Sequence, residues 1–171
     1  MTTAEAFPPL PARQSAAPFL PVLIIDTREQ TPLAFSWLPS RTGTLTSGDY
    51  SIAGLESDFA IERKSIPDLV GSLTSGRERF MREVDRLRGF PFARLLIVGT
   101  EAEIIEGQYR SNANPTAMMH SLHAIESRGL PVVFTATPAA AAAMVERWAW
   151  WRARAVLQSG NDLIGQSNTT Y

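Results

Sequence analysis

The chain contains no cysteine and only two histidines among its 171 residues. The absence of cysteine excludes disulfides, thiolate metal sites and cysteine nucleophiles, and it fits a reducing cytosol. No apolar run approaches the roughly 20 residues that a membrane-spanning helix needs. The N-terminus lacks the cationic start and the continuous apolar stretch of a secretory signal. The sequence therefore predicts a cytoplasmic protein that spans no membrane.

An excess of basic charge is also missing, because 16 lysines and arginines face 17 acids and give a net charge of −1. This total argues against a general nucleic-acid binder, which is usually basic. The distribution is uneven, however, since the segment 77–94 holds six arginines against three acids. That segment is a candidate for a face that contacts phosphate.

The length suits one domain with a single core. Residues 1–20 are rich in proline and alanine without a sustained period, and they are predicted to form a flexible N-terminal arm. The folded domain is predicted to span 21–157. The polar residues 158–171 are predicted to form a flexible C-terminal tail.

Apolar patterns place the main elements of this domain. Runs of apolar residues, several rich in Val and Ile, predict buried strands, and the spacing i, i+3, i+4, i+7 predicts helices. The predicted strands are 22–26, 50–52, 58–62, 94–99 and 131–134, and the predicted helices are 65–75, 77–88, 115–128 and 138–157. Residues 27–47 are expected to hold short strands or loops. This order predicts an α/β domain in which helices flank a central mixed sheet.

Five acids and one lysine sit where the predicted strands end or turn. The alternation of a strand places Glu62 and Lys64 on the same face. Carboxylates gathered in this way repel one another unless a cation lies between them, and Mg²⁺ or Mn²⁺ prefers such oxygen ligands. A metal-activated water with a nearby lysine is typical of phosphodiester hydrolysis. The residues concerned are Asp26, Glu29, Asp49, Glu62, Lys64 and Asp68.

Each residue taken alone has a simpler interpretation. Asp26 at a strand end suits a turn or cap, Gly48-Asp49 suits a turn, and Glu62 to Lys64 suits a solvated strand end. Asp68 near a helix start favours the helix dipole. The pattern favours a site because these pieces occur together and in order. His120 and His123 are expected at the surface.

The ordered pattern resembles the XPF-type structure-specific endonuclease family. Its signature is a GD followed by ERKxxxD, and it is matched here by Gly48-Asp49 and by the stretch from Glu62 to Asp68. An acid-bearing strand that ends at Asp26 precedes both. The resemblance implies a restriction-endonuclease-like nuclease fold.

The resemblance also implies roles for particular residues. Mg²⁺ or Mn²⁺ would be bound by Asp26, Glu29, Asp49 and Glu62, with the backbone carbonyl of Arg63 as a further ligand. Lys64 would be the catalytic lysine, and four residues would bind substrate or support the site, namely Arg28, Asp68, Arg77 and Arg79. Family members cut DNA near branches, flaps or junctions in repair and recombination, and they dimerise through the nuclease domain. Branched DNA and a homodimeric or heterodimeric partner are therefore expected, with nucleoid association if the source is prokaryotic.

Two further features bear on partners. No helix-hairpin-helix pattern follows Gly99, so a stand-alone form is expected. Trp148, Trp150 and Trp151 cannot all face one side of a helix, so at least one is a candidate partner contact. Two alternatives remain open at this point. One is a non-catalytic scaffold that binds DNA or a partner, and the other is a nuclease for RNA or for recombination intermediates.

Overall fold

The computed structural model describes residues 20–167, which form an α/β domain with helices on both faces of a six-stranded sheet. The predicted fold class is confirmed. The strands are β1 (Leu23–Asp26), β2 (Ser40–Gly43), β3 (Tyr50–Ile52), β4 (Phe59–Ser65), β5 (Phe92–Val98) and β6 (Val132–Thr135). The helices are α1 (Ile66–Leu73), α2 (Arg77–Leu87), α3 (Glu101–Ile105), α4 (Pro115–Ser127) and α5 (Pro138–Ser167).

The sheet is mixed, and its topology brings the acids together on three neighbouring strands. The strand order is β2-β1-β3-β4-β5-β6. β3 runs antiparallel to both β1 and β4, whereas the remaining neighbours pair in parallel. Tyr50 at the start of β3 pairs with Ile25 of β1 and with Ile61 of β4, so the end of β1, the start of β3 and the middle of β4 lie side by side. Asp26, Asp49 and Glu62 belong to these three positions.

The two faces of the sheet pack against different helices. Along β4, Ala60 packs with α1, α2 and α4, whereas Phe59 and Ile61 pack with α5. Because side chains alternate along a strand, Glu62 and Lys64 share the face of Ala60. The side chain of Arg63 shares the face of Ile61.

The helices that border the acids begin where the sequence predicts. Ser65 caps α1, because its hydroxyl accepts a hydrogen bond from the amide of Asp68 at 3.3 Å. The same hydroxyl donates to the Asp68 carboxylate at 2.6 Å, so Asp68 serves the cap. α2 buries the predicted face of Phe80, Val84 and Leu87 and leaves its arginines exposed.

Two short elements could not be placed from the sequence. β2 has the residues SRTG and no apolar period, and the parallel ladder with β1 holds it at the sheet edge. α3 is a single short helix stabilised by a capping box, in which Thr100 and Glu103 satisfy each other's backbone amides.

The prediction that α5 ends at Leu157 is wrong, because the helix continues to Ser167. The predicted flexible tail is therefore helical over 158–167. A helix that is already formed extends without a new nucleation step, so a polar segment can follow it. Residues 168–171 and the predicted arm, apart from Leu20, lie outside the described residues.

The three tryptophans of α5 do not share one face of the helix, as the helical spacing predicts. Trp150 is buried and Trp148 packs against Phe92, whereas Trp151 is 56% exposed. One tryptophan is thus available at the surface. Within residues 20–167, none of the helices has the length and apolar character needed to cross a bilayer.

Candidate active site

An open cleft lies between α2 and the part of the sheet that carries Asp49 and Glu62. It has a volume of about 350 Å³ and is lined by Arg28, Gly48, Asp49, Glu62, Lys64, Ser72, Arg79, Phe80, Glu83 and Arg86. An adjoining cleft of about 360 Å³ shares Arg28, Asp49, Glu62 and Lys64 with it. Glu29, Arg63 and Asp68 line the adjoining cleft only. The structure therefore brings most of the predicted residues together.

The Gly48-Asp49 turn is fixed against β4. Gly48 has a φ of +77°, and a Cβ there would lie 3.0 Å from the carbonyl oxygen of Ile61, so a glycine is required. The amide of Asp49 donates to that same carbonyl at 2.7 Å. One Asp49 carboxylate oxygen accepts from the amide of Arg63, also at 2.7 Å. The turn thus holds the Asp49 carboxylate beside the end of β4.

Asp49 and Glu62 form an acidic pair that the protein alone does not neutralise. Burial, and after it the charge of Glu62, raises the pKa of Asp49 to about 7. Burial also raises the pKa of Glu62, although the ammonium of Lys64 opposes that shift. A cation between the two carboxylates would favour their ionised forms. Two carboxylates with water ligands suit Mg²⁺, so this donor set fits the expected ion.

Lys64 lies directly beside this pair and is the only lysine in the chain. Its Nζ is 2.8 Å from Glu62 Oε1 and 5.0 Å from the centre of the Phe80 ring. Phe80 comes from α2, so the helix face and the strand together fix the ammonium. A compact charge in this position can contact a phosphate oxygen or a water.

Asp26 does not line either cleft. Its carboxylate is 1% exposed and accepts hydrogen bonds from Arg28 Nε at 2.6 Å and from the amide of Leu45 at 2.7 Å. Burial acts to raise the pKa of Asp26, but the hydrogen bonds from Arg28 and Leu45 outweigh it and hold the pKa below its usual value. Asp26 therefore orients Arg28, which does line the cleft. This geometry favours a supporting role over the predicted role as a metal ligand.

Glu29 is engaged by Arg63 in a similar way. Arg63 donates to the two Glu29 oxygens from Nη2 at 3.0 Å and from Nε at 3.2 Å. Burial acts to raise the pKa of Glu29, but the Arg63 hydrogen bonds leave the pKa below its usual value. The pair ties the segment after β1 to the end of β4. Glu29 borders the adjoining cleft with both oxygens already occupied.

The four carboxylates predicted to bind the metal thus form two groups with different partners. Across the described residues, 20–167, no three Asp, Glu or His side chains group closely enough to enclose a metal ion. Two of the four predicted acids hold arginines, and the other two, Asp49 and Glu62, face each other beside Lys64. Any ion held here would complete its coordination with backbone oxygen and water.

The arginines predicted to support the site or to bind substrate lie in different places. Arg79 lines the main cleft, whereas the Nη1 of Arg77 donates to Ser121 Oγ at 2.9 Å and so supports the contact between α2 and α4. Sequence reasoning missed Glu83, whose Oε1 accepts from the amide of Gly48 at 3.3 Å. The helical spacing of Arg79, Glu83 and Arg86 was the available signal, since it puts all three on one face of α2.

The raised pKa of Asp49 predicts a pH-dependent stability in metal-free protein. Because the folded pKa of about 7 exceeds the ordinary aspartate pKa of about 4, protonated Asp49 stabilises the fold at low pH and this contribution is lost as pH rises through 7. Relative to Asp49→Asn, the wild-type free energy of unfolding should fall between pH 5 and pH 8 by on the order of 1–3 kcal/mol. Urea denaturation in EDTA measures it, and saturating Mg²⁺ at pH 8 should restore the loss in wild type alone. An identical difference between the two proteins at both pH values would refute the prediction.

Comparison with known proteins identifies the family. A family model of the ERCC4 domain matches residues 25–147, so the chain belongs to the ERCC4 domain family. The structure is similar to XPF from Aeropyrum pernix, with a TM-score of 0.62 and 21% identity over 75% of this chain. It is also similar to XPF from Aeropyrum pernix in complex with DNA, with a TM-score of 0.63 and 21% identity over 78% of this chain. The matches span 60% and 66% of those two chains, which is less than two thirds of each. A comparison with curated proteins gives no significant match.

Proposed function

We propose that this protein is a divalent-metal-dependent endonuclease that hydrolyses DNA phosphodiester bonds at branched or flap-like DNA in repair or recombination. The observation that carries the proposal is the Asp49–Glu62 pair beside Lys64, in one open cleft that also holds arginines. Membership of the ERCC4 domain family supports the same chemistry. The similarity to an XPF chain in complex with DNA supports DNA as the substrate.

In this proposal Asp49, Glu62 and the carbonyl of Arg63 hold Mg²⁺ or Mn²⁺. When bound, the ion would lower the pKa of a coordinated water and offset negative charge on the phosphate. Lys64 donates to a phosphate oxygen or holds the attacking water, since its ammonium is already fixed beside the carboxylates. Asp26 and Glu29 act through the arginines that they hold.

Three arginines give the cleft its affinity for phosphate. Arg28, Arg79 and Arg86 line the main cleft and come from two walls of it. Their placement concentrates positive charge at the site of a chain whose net charge is −1.

Exposed Trp151 is the proposed contact for a second nuclease domain. Sedimentation at micromolar concentration tests that contact by comparing wild type with Trp151→Ala.

A panel of labelled substrates tests the activity. The panel contains single-stranded, duplex, flap, fork and four-way-junction DNA, each with Mg²⁺, with Mn²⁺ or with EDTA, and a ribonucleotide version of each cut substrate. Metal-dependent cutting of branched DNA in preference to duplex supports the proposal. Faster cutting of the ribonucleotide version would instead identify an RNA nuclease. Binding to DNA without any cutting would identify a non-catalytic scaffold.

Removal of cleft arginines is expected to weaken DNA binding and to reduce its dependence on salt. Arg79→Ala and Arg86→Ala should each lower the slope of log K against log salt by about 1, because one phosphate contact is lost. Fluorescence anisotropy with a fork substrate at several NaCl concentrations measures the slope. Arg110→Ala, a change to an exposed arginine away from the cleft lining, is the matched control. Equal slopes in all four proteins would show that the α2 face is merely solvated.

A further inference from the structure

We propose that Glu83 is a positioning residue of this site, which joins the Gly48-Asp49 turn to the arginine face of α2. The inference rests on the proposed function for its catalytic consequence. Its structural basis does not depend on the proposed function, because it concerns only the contacts of Glu83 with Gly48 and Arg86.

The two oxygens of Glu83 serve two different walls of the cleft. Oε1 accepts from the amide of Gly48 at 3.3 Å. Oε2 forms an ion pair with Arg86, one helical turn farther along α2. The side chain lines the main cleft and is 20% exposed, so it is neither a solvated surface acid nor an enclosed one. Glu83 is thus the link between the strand turn and the helix.

The Gly48 amide is a sensitive place for such a link. Gly48 is buried, so its N–H needs a partner, and loss of that partner has a cost in free energy. The next residue is Asp49, whose carboxylate must keep its position against Glu62. Groups that orient metal ligands typically change metal affinity by about 10- to 100-fold when they are removed. Arg86, held by the other oxygen, faces the region where the DNA phosphate would lie.

The two contacts of Glu83 can be separated by substitution. Glu83→Ala removes both contacts. Glu83→Gln retains one acceptor oxygen for Gly48 but has an NH₂ group in place of the oxygen that pairs with Arg86. Glu78→Ala is the matched control, because Glu78 lies on the same helix, is 90% exposed and pairs only with the outward-facing Arg82 among the described contacts.

Three measurements are compared in these variants. Amide hydrogen exchange by NMR reports on Gly48, calorimetry with Mn²⁺ reports on the metal ligands, and KM for a fork substrate reports on Arg86. We expect Glu83→Ala to speed exchange at Gly48 and to weaken Mn²⁺ binding, each by about 10-fold or more. In Glu83→Gln, protection at Gly48 and Mn²⁺ affinity should return to near the wild-type values while KM remains raised.

The outcomes distinguish this inference from the proposed function. Wild-type exchange at Gly48 in Glu83→Ala would overturn the inference, and so would unchanged Mn²⁺ affinity despite lost protection. If the wild-type protein binds no Mn²⁺ and cuts no DNA, the proposed function fails. Slower exchange at Gly48 in wild type and Glu83→Gln than in Glu83→Ala would still show that Glu83 holds the turn.

Discussion

Replacing Glu62 with glutamine is expected to reduce metal-dependent DNA cleavage by about 10³-fold or more. The substitution keeps the size of the side chain but removes one of the two carboxylates that hold the proposed ion. It also removes the negative charge that holds the Lys64 ammonium, whose Nζ lies 2.8 Å from Glu62 Oε1, and leaves only a neutral amide oxygen as acceptor. DNA affinity should stay the same or rise slightly, because a negative charge leaves the cleft that we propose to bind phosphate.

Cleavage rates and binding must be measured on the same substrate to support this prediction. Single-turnover cleavage in Mg²⁺ gives the rate, and anisotropy in Ca²⁺ or EDTA gives the affinity. Glu56→Gln is the control, because Glu56 is an exposed acid in the loop between β3 and β4, at the opposite end of these strands from Glu62. A Glu62→Gln protein that cleaves within about 10-fold of wild type would rule out this carboxylate as a metal ligand.

Replacing Glu146 with alanine is expected to lower the free energy of unfolding by about 3 kcal/mol or more. Glu146 is 1% exposed, and its Oε1 accepts from the backbone amides of Ser36, Trp37 and Leu38 at 2.9, 2.6 and 3.0 Å. Alanine leaves these amides without their acceptor in a region closed by α5. The effect should extend to the site, because the same loop between β1 and β2 carries Glu29.

Urea denaturation at pH 7 measures this loss, and two other variants define its cause. Glu146→Gln retains a carbonyl oxygen for the amides and should lose less than half as much stability. Asp162→Ala changes an exposed acid on the same helix and should stay within about 0.5 kcal/mol of wild type. If Glu146→Ala were as stable as Asp162→Ala, the amides would have found other partners and the account of this loop would be wrong.

The fold could be predicted from the sequence wherever local pattern and burial agree. Ile66, Leu69, Val70 and Leu73 have helical spacing behind a serine cap, and α1 forms there because its buried face is continuous. β2 carries no such pattern, and only its ladder with β1 defines it. The end of α5 was also not predictable, because polar residues give no signal that separates a helix extending into solvent from a loop.

The sequence predicts which residues meet at the site, but it does not predict which of the carboxylates pair with arginines. The motif residues converge because the topology brings the end of β1 and the middle of β4 to the start of β3. Ion pairing between Asp26 and Arg28, and between Glu29 and Arg63, depends on side-chain geometry that residue types do not specify. The only lysine of a chain with 16 basic residues lies inside the motif, and this isolation is itself a signal of a specific role.

The two arginine pairs reduce the repulsion among the carboxylates of the site. Arg28 and Arg63 neutralise Asp26 and Glu29, so only Asp49 and Glu62 remain as an uncompensated pair. Lys64 offsets part of that charge by contact with Glu62. Under the proposed function this pair holds the cation, and the inferred role of Glu83 is to hold the turn that carries Asp49.

Calorimetric titration of Mn²⁺ into the wild-type protein and Asp49→Asn at pH 8 measures whether Asp49 and Glu62 hold a divalent ion. We expect saturable binding of an ion to the wild-type chain and a loss of at least about 10-fold in affinity in the variant. Wild-type protein that shows no saturable binding, or Asp49→Asn that binds as tightly as wild type, would contradict the assignment of Asp49 and Glu62 as a metal site.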